Sequence, residues 1–391
     1  MQAYTVAWNG MFLLPVILQY YREQLGLNFQ QFVLGEVFFA ATVMIMEVPS
    51  GWIADMWTRK NTLITAALFM LCGWTLLLFS GGFWMAALAQ SVIGIGVSLK
   101  SGTDIALIFE TLEEADDKDQ SRAQTGMQSA LSLYAVAAAA LIGGSLYTWN
   151  PHAPIYATLL CQCITMGTAC LLREPARHKK AMEKHPLHDI AVTVREVAVR
   201  KRDLGILMVG AALLFGTTKY IVWAQQAYWG AMHVSPSVSG LLAALGWGLA
   251  GMAGHFGHHI ERRLGYRTTF IVLWLGLCTG WLVTGFHLGW LGVACLYLGS
   301  IAWAIGGPAL QDAINHRVGS ERRSTIISTS SLLTNMAFMP IGTIASAVAD
   351  HHGIQASLLV LAGFHISLGV LVIALLLVMR RSGRRLSAFF Y

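Results

Sequence analysis

The sequence predicts an all-α integral membrane protein with twelve transmembrane helices. Of its 391 residues, 55% are hydrophobic and 12% are charged, whereas about 25% of the residues in an ordinary soluble domain are charged. The mean hydropathy is +0.58. Apolar runs of about 20 residues, the length that crosses a hydrocarbon core of roughly 30 Å, recur along the whole chain. The basic residues between these runs follow the pattern described below.

Twelve apolar runs are long enough to be membrane spans, and we number them spans 1 to 12. In chain order they cover residues 3–22, 29–55, 60–80, 83–111, 123–149, 153–172, 204–230, 236–259, 267–287, 290–314, 324–348 and 355–379. All six cysteines fall inside these runs. This placement favours small buried hydrophobic side chains over disulfides or a metal site.

Basic residues predict the orientation of the chain. If both termini are cytoplasmic and the spans alternate in direction, Arg22 is the only one of the 26 Lys and Arg residues on the far side. Lys100 and Lys219 fall inside spans, and the others lie in cytoplasmic loops, at span ends or in the C-terminal tail. This positive-inside bias predicts a multi-pass protein of a bacterial inner membrane. It also explains the net charge of +6 without a nucleic-acid partner.

Residues 1–22 are predicted to form span 1 and not a cleaved signal peptide. No basic stretch precedes the apolar run, and no small-x-small cleavage site is present. Removal of this segment would leave eleven spans and break the charge pattern.

The turn between spans 2 and 3 carries the motif Gly51-Trp-Ile-Ala-Asp55-Met-Trp-Thr-Arg59-Lys60. It places a carboxylate and two cations at a membrane surface. The motif resembles the loop signature of the major facilitator superfamily, Gly-x-x-x-Asp-Arg-x-Gly-Arg-Lys/Arg, and matches it at Gly51, Asp55, Arg59 and Lys60. Met56 and Thr58 stand where that family usually has Arg and Gly. The resemblance implies the superfamily fold of two pseudo-symmetric six-helix bundles.

The two halves are predicted to be joined by a polar connector. The N-terminal bundle covers residues 1–173, the cytoplasmic linker 174–203, and the C-terminal bundle with a short basic tail 204–391. Apolar residues recur at helical spacing from Leu187 to Ala198, which predicts an amphipathic helix on the cytoplasmic lipid surface. A basic loop beginning at Gly257 follows span 8 as the motif loop follows span 2, which indicates that the halves are repeats.

The sequence carries no enzymatic constellation. It shows neither Ser-His-Asp nor HExxH spacing, and no phosphate-binding Gly-rich loop after a strand. We therefore expect no catalytic residues, no metal, no cofactor and no ATP-driven step. The acidic loop from Glu113 to Asp119 is expected to be a solvated connection.

Charged residues inside spans are candidates for coupling, because each costs at least about 2.5 kcal/mol to insert. Lys100 and Asp104 lie four residues apart in span 4, and so on one helical face. The pair is either structural or proton-labile, and in the second case protonation of Asp104 frees the charge of Lys100. Glu36 lies about two turns below the far surface in span 2. It either carries a proton or extends to the interface.

Carboxylates near the cytoplasmic ends of spans are candidates for gating. Glu47, Glu110 and Asp312 lie within about two turns of such an end. They act either in a gate or as helix-end contacts with the basic loops. With the loop residues added, the predicted gating set is Asp55, Arg59, Glu47, Glu110, Glu261 and Asp312.

Lys219 lies near the centre of span 7 and requires a counter-charge. In the superfamily that the loop resembles, spans 1, 4, 7 and 10 line the solute path, so the resemblance implies that Lys219 faces it. Either a solute anion or a salt bridge to Glu36 or Asp104 supplies the negative charge. The predicted solute contacts are Lys219, Tyr220, Trp223, Asn9 and Lys100, and the predicted proton-coupling residues are Glu36 and Asp104.

Two patterns of the family are incomplete. Span 4 usually carries an Arg four residues before a Gly, but here Gln90 precedes Gly94. Antiporters usually carry a Gly-Pro pair in a glycine-rich stretch of span 5, of which Gly143 and Gly144 remain. These departures count against a simple drug/proton antiporter.

The sequence therefore predicts a secondary transporter and not an enzyme. We expect it to move a small organic solute, anionic or zwitterionic, such as a carboxylate metabolite or a siderophore-like compound, by proton-coupled alternating access. The alternative is a proton-driven multidrug efflux antiporter. The expected partners are the solute, membrane lipid and protons, with no nucleic acid, and the expected state is a monomer.

Overall fold

The structure, a computed structural model, describes residues 1–117, 120–175, 202–315 and 323–381. This part of the chain is helical and contains no strand. The amphipathic helix predicted from Leu187 to Ala198 and the basic C-terminal tail lie outside the described residues.

The helices follow one another with short connections. In chain order they are α1 Gln2–Trp8, α2 Ile17–Gln24, α3 Phe29–Met56, α4 Arg59–Leu78, α5 Phe83–Lys100, α6 Thr103–Glu114, α7 Ser121–Trp149, α8 Ala153–Leu171, α9 Arg202–Ala231, α10 Pro236–Phe286, α11 Trp290–Asn315, α12 Arg323–His352 and α13 Ile354–Arg381. A single 3-10 turn, Leu14–Val16, lies between α1 and α2.

Ten helical stretches within the described ranges are long and apolar enough to cross a membrane. They coincide with predicted spans 2–6 and 8–12. Span 1 is missing from this set because it is divided into short helices. Span 7 lies within α9, whose 30 residues are more than long enough to cross a membrane.

Span 1 was predicted as one helix over residues 3–22, and this prediction is wrong. Helix α1 ends at Trp8, and α2 begins only at Ile17. The Asn9 side chain donates to the Thr5 carbonyl over 2.7 Å, so it satisfies a carbonyl at the end of α1. Pro15, which has no backbone N–H, lies in the 3-10 turn. The segment between the two helices packs on α7, where a Cβ added to Gly143 would lie 1.9 Å from the Phe12 carbonyl oxygen.

Span 4 was also predicted as one helix, over residues 83–111, and it is broken in the middle. Helix α5 ends at Lys100 and α6 begins at Thr103. Gly102 has φ 76°, in the left-handed region where glycine commonly ends a helix. Ser101 and Gly102 are exposed. The break therefore places Lys100 at the C-terminus of one helix and Asp104 in the first turn of the next.

Spans 8 and 9 were predicted as separate helices, and the structure confirms this prediction: two helices meet at a kink at Gly265, beyond the end of the apolar run of span 8. Helix α10 runs from Pro236 to Phe286, and Gly265 (φ 76°, ψ 155°) is its only residue with non-helical backbone angles. The connecting residues include Glu261, Arg262 and Arg263, which are good helix formers. The apolar run thus ends before the helix does.

Contacts between Cα atoms divide the chain into two compact units. One comprises Met1–His185 with Val234–Gly248, and the other comprises Pro186–His233 with Leu249–Tyr391. In the first unit, α5 packs against α3 and α4, and α8 against α1 and α4. The beginning of α10 joins this unit, where Ser237 lies 2.9 Å from Thr148 of α7 between hydroxyl oxygens. In the second unit, α9 packs against α11, α12 and α13.

The predicted bundle boundaries at residues 173 and 204 stay a prediction. They depend on the linker 174–203, most of which lies outside the described residues.

Candidate solute and proton site

Lys100 and Asp104 meet across the break in span 4. The Lys100 Nζ lies 2.6 Å from Asp104 Oδ2, and the two side chains are 19% and 7% exposed. The spacing predicted that both residues lie on one face of a continuous helix, but they belong to two different helices. Lys100 lies in the last turn of α5 and Asp104 in the first turn of α6, so each charge also has the sign that its helix end favours.

Asp104 is held by two further donors. The Gln128 amide of α7 donates to Oδ2 over 3.1 Å, and the backbone N–H of Ile105 donates to Oδ1 over 2.9 Å. Both carboxylate oxygens are thus hydrogen-bonded. Gln128 does not stand out in the sequence because it is uncharged, although it is a polar side chain inside a span.

Helix α1 supplies an aromatic wall and an amide beside this pair. Lys100 Nζ lies 5.5 Å from the centre of the Trp8 ring, within the range of a cation–π contact. The Tyr4 ring lies 5.8 Å from the Trp8 ring, and both side chains are buried. Asn9 donates to the Ser132 hydroxyl of α7 over 3.2 Å. The structure therefore brings Asn9 and Lys100, two predicted solute contacts, into one group of helices with Asp104.

Glu36 is buried and does not extend to a surface. It accepts a hydrogen bond of 2.7 Å from Gln90, which is itself buried. Gln90 is the residue that stands where the family pattern has an Arg. The amide at this position therefore provides a neutral donor to the carboxylate.

Lys219 is exposed and donates to the Asn335 side chain of α12. Its neighbour Tyr220 is completely buried, and the Tyr220 hydroxyl lies 2.9 Å from that of Ser357. Trp223 is half-buried. Of these three predicted contacts, Tyr220 presents no surface to a solute in this structure. Asn335 was not identified from the sequence.

The motif loop from Gly51 to Lys60 is held by two carboxylates from elsewhere in the first unit. Arg59 donates to Glu110 Oε1 at 3.0 and 3.2 Å, so two predicted gating residues form an ion pair. Glu174 accepts from the backbone N–H groups of Arg59 and Lys60 at 2.9 and 2.8 Å. It therefore caps the N-terminus of α4. Glu174 was not identified from the sequence, where its signal is that of an isolated acid at the start of a basic connector.

Of the remaining gating candidates, the structure describes the side chain of Glu47. Glu47 is half-buried in α3. The side chains of Asp55, Glu261 and Asp312 lie outside the part of the chain that the structure describes.

A sequence model of the Major Facilitator Superfamily matches residues 2–335. The chain belongs to the major facilitator superfamily. This result confirms the resemblance that the motif loop indicated. The tetracycline resistance protein, class G, of Vibrio anguillarum is 22% identical over 301 residues, which is 75% of this chain and 74% of that protein.

Solved structures of superfamily transporters have the same fold. The nucleoside transporter NupG superposes with a TM-score of 0.79 at 11% identity, covering 95% of this chain and 98% of that one. The D-xylose-proton symporter superposes with a TM-score of 0.66 at 12% identity, covering 93% and 94%. Identities this low establish the fold alone. The predicted all-α fold of the superfamily is confirmed, and the chain is a multi-pass membrane transporter rather than an enzyme.

Proposed function

We propose that this transporter moves a small organic solute, anionic or zwitterionic, across a bacterial inner membrane by proton-coupled alternating access. The observation that carries the proposal is the Lys100–Asp104 pair at the break in span 4. Irregular backbone at membrane depth is tolerated where it lines a protein-enclosed or water-filled cavity. Transporters commonly place their solute and ion sites at such helix breaks.

Stability alone does not account for the pair, because buried ion pairs contribute little net stability. Replacing such a pair with well-packed apolar residues is often neutral or stabilising. Trp8, Gln128 and the Ile105 amide nevertheless hold its members in position. We attribute this arrangement to function at the site.

Charge balance links the pair to protons. Lys100 and Asp104 together carry no net charge, and protonation of Asp104 leaves the Lys100 ammonium uncompensated in a poorly solvated site. A solute carboxylate restores neutrality at that point. An anion therefore binds together with one proton, whereas a zwitterion brings both charges itself.

Glu36 is the second candidate proton carrier. Its partner Gln90 offers both an N–H donor and a carbonyl acceptor. Rotation of that amide gives a hydrogen bond to either the ionised or the protonated carboxyl group. Glu36 can therefore gain or lose a proton while it stays hydrogen-bonded to Gln90.

Lys219 is a further proposed solute contact. Asn335 accepts one hydrogen bond from it but supplies no negative charge. Trp223, one turn further along α9, is proposed to contact an apolar part of the solute. At the cytoplasmic surface, the Arg59–Glu110 ion pair is proposed to act as a gate with Asp55, Glu47, Glu261 and Asp312.

Proton-driven multidrug efflux is the second candidate function. It is favoured by the similarity to the class G tetracycline resistance protein. In that case the solute and the proton bind in alternation, and the solute leaves the cell in exchange for protons. A lipophilic compound without a carboxylate would then bind as well as an acid.

The test begins with a thermal-shift screen of solutes on purified protein at two pH values. The solute with the largest effect is then followed in proteoliposomes with an imposed pH gradient. We expect Asp104→Asn to bind an anionic solute without a proton and to lose accumulation driven by the gradient. Glu36→Gln is assayed in parallel, and Glu114→Gln is the control because Glu114 pairs with Arg173, whose side chain is 85% exposed.

These assays distinguish the proton carriers from the solute contact. If both Asp104→Asn and Glu36→Gln accumulate solute as the parent does, neither carboxylate carries the proton. Lys219→Ala should weaken an anionic solute more than its neutral analogue. Equal losses for the two ligands would make Lys219 structural.

A further inference from the structure

The Lys100 ammonium occupies a cation site that its own helix does not build. Its carboxylate partner belongs to α6, and the ring beneath it belongs to α1. A carboxylate combined with an aromatic face is an arrangement that binds organic ammonium groups. Asp104 and Trp8 are therefore the residue types of an ammonium-binding site, and the Lys100 side chain occupies that site.

The same site contains buried polar atoms that Lys100 leaves unpartnered. Gln128 is 9% exposed, and its Oε1 atom has no hydrogen-bond partner among the described residues. The Tyr4 hydroxyl, on the α1 turn next to Trp8, is equally unpartnered in that part of the chain. An ammonium group has three N–H donors, and the bond to Asp104 is the one that the structure records for Lys100. The site thus contains polar atoms, Gln128 Oε1 and the Tyr4 hydroxyl, that could bond to the N–H donors of an ammonium group.

The two sides of the pair differ in how firmly they are held. Asp104 is fixed by Gln128 and by the Ile105 amide, whereas Lys100 is attached to the exposed end of a broken helix and is the more exposed of the two. The flexible lysine side chain can withdraw while the acceptors stay in place.

We propose that Asp104, Gln128 and the Trp8 ring form a binding site for the ammonium group of the solute, which displaces Lys100 on binding. The inference rests on the proposed function and narrows its solute to a zwitterion. The released Lys100 ammonium then binds the solute carboxylate. The exchange leaves the site neutral without a proton at Asp104, so proton coupling falls to Glu36.

The test uses ethylammonium chloride, which has the charge and donors of the lysine terminus. Lys100→Ala vacates the site, and we expect ethylammonium to raise the thermal unfolding temperature of this variant saturably. The expected rise is roughly 2–5 °C relative to sodium chloride at equal ionic strength. The parent protein, with Lys100 in place, should not respond. Lys100→Ala/Asp104→Asn should also fail to respond, and so should Lys60→Ala, the control for loss of a lysine outside the site.

An equal response in all four proteins, or no response in Lys100→Ala, would overturn the site. If Lys100→Ala is not recovered as folded protein, Lys100→Gln replaces it in the same titration. The result is independent of transport. A specific ethylammonium response without any solute transport would reject the proposed function and support the ammonium site. Proton-linked anion transport without that response would support the proposed function and reject the ammonium site.

Discussion

At the scale of single residues, three charged side chains within the spans each contact a neutral amide. Gln90 contacts Glu36, Gln128 contacts Asp104, and Asn335 contacts Lys219. An amide group has both a donor and an acceptor. It can therefore remain hydrogen-bonded when its charged neighbour gains a proton or a ligand. A second charge at the same position would bind more tightly but would oppose that change.

Glu174 illustrates a carboxylate with a purely structural position. It accepts two backbone N–H groups at the start of α4. We expect Glu174→Ala to lower stability by about 1–2 kcal/mol, because two helix-terminal donors lose a charged acceptor. The measurement is thermal unfolding in detergent.

The control for this prediction is Glu114→Ala. Glu114 pairs with Arg173, whose side chain is 85% exposed, so its loss should change stability by no more than roughly 0.5 kcal/mol. A loss at position 174 as small as that at 114 would show that the cap contributes nothing measurable.

At the scale of helices, the site depends on two interruptions. The segment after Trp8 turns away from the α1 axis, and Gly102 ends α5 beside Lys100. In uninterrupted helices, the directions of the Trp8 and Lys100 side chains would follow from helical periodicity alone. The breaks are in turn stabilised by close packing, since Gly143 of α7 faces the Phe12 carbonyl.

Gly143→Ala tests this packing. The added Cβ would lie 1.9 Å from a backbone oxygen, which cannot move without shifting the chain. We expect a loss of about 1–3 kcal/mol from overpacking. Gly126→Ala is the matched control in the same helix, because no atom lies within 4 Å of its added Cβ.

Gly126→Ala should leave stability unchanged or raise it by up to about 1 kcal/mol, since alanine is the better helix former. Equal effects of the two substitutions in thermal unfolding would mean that α7 does not pack closely on the broken segment of span 1.

At the scale of the whole molecule, the distribution of basic residues sets the proposed orientation. Only Arg22 of the basic residues outside spans is assigned to the far side. Lys and Arg near span ends oppose translocation, and the bias acts through the chain as a whole. Both termini are therefore proposed to be cytoplasmic.

Reporter fusions test that orientation. A green fluorescent protein fused after Tyr391 should fluoresce, because it folds in the cytoplasm, and alkaline phosphatase at the same position should be inactive. Alkaline phosphatase fused after Gly26, in the loop assigned to the far side, should be active. The reverse pattern of activities would place the termini outside.

The sequence by itself determined the class of protein, the positions of most spans and the superfamily. These properties depend on local sums of hydropathy and on a short loop motif, so they can be read without knowing which residues meet. Gly51, Asp55, Arg59 and Lys60 sufficed to indicate the family. The sequence also identified Lys100 and Asp104 as a pair, because a charged residue within a span is conspicuous at any helix geometry.

Only the tertiary structure decided where helices break and which neutral residues complete the site. The breaks at Asn9 and Gly102 lie inside apolar runs, where hydropathy does not distinguish a continuous helix from an interrupted one. Gln128 is separated from Asp104 by 24 positions, and Glu174 from Arg59 by 115. Contacts over such separations are chosen by the packing of whole helices, which favours partners of complementary shape and hydrogen bonding irrespective of their distance along the chain.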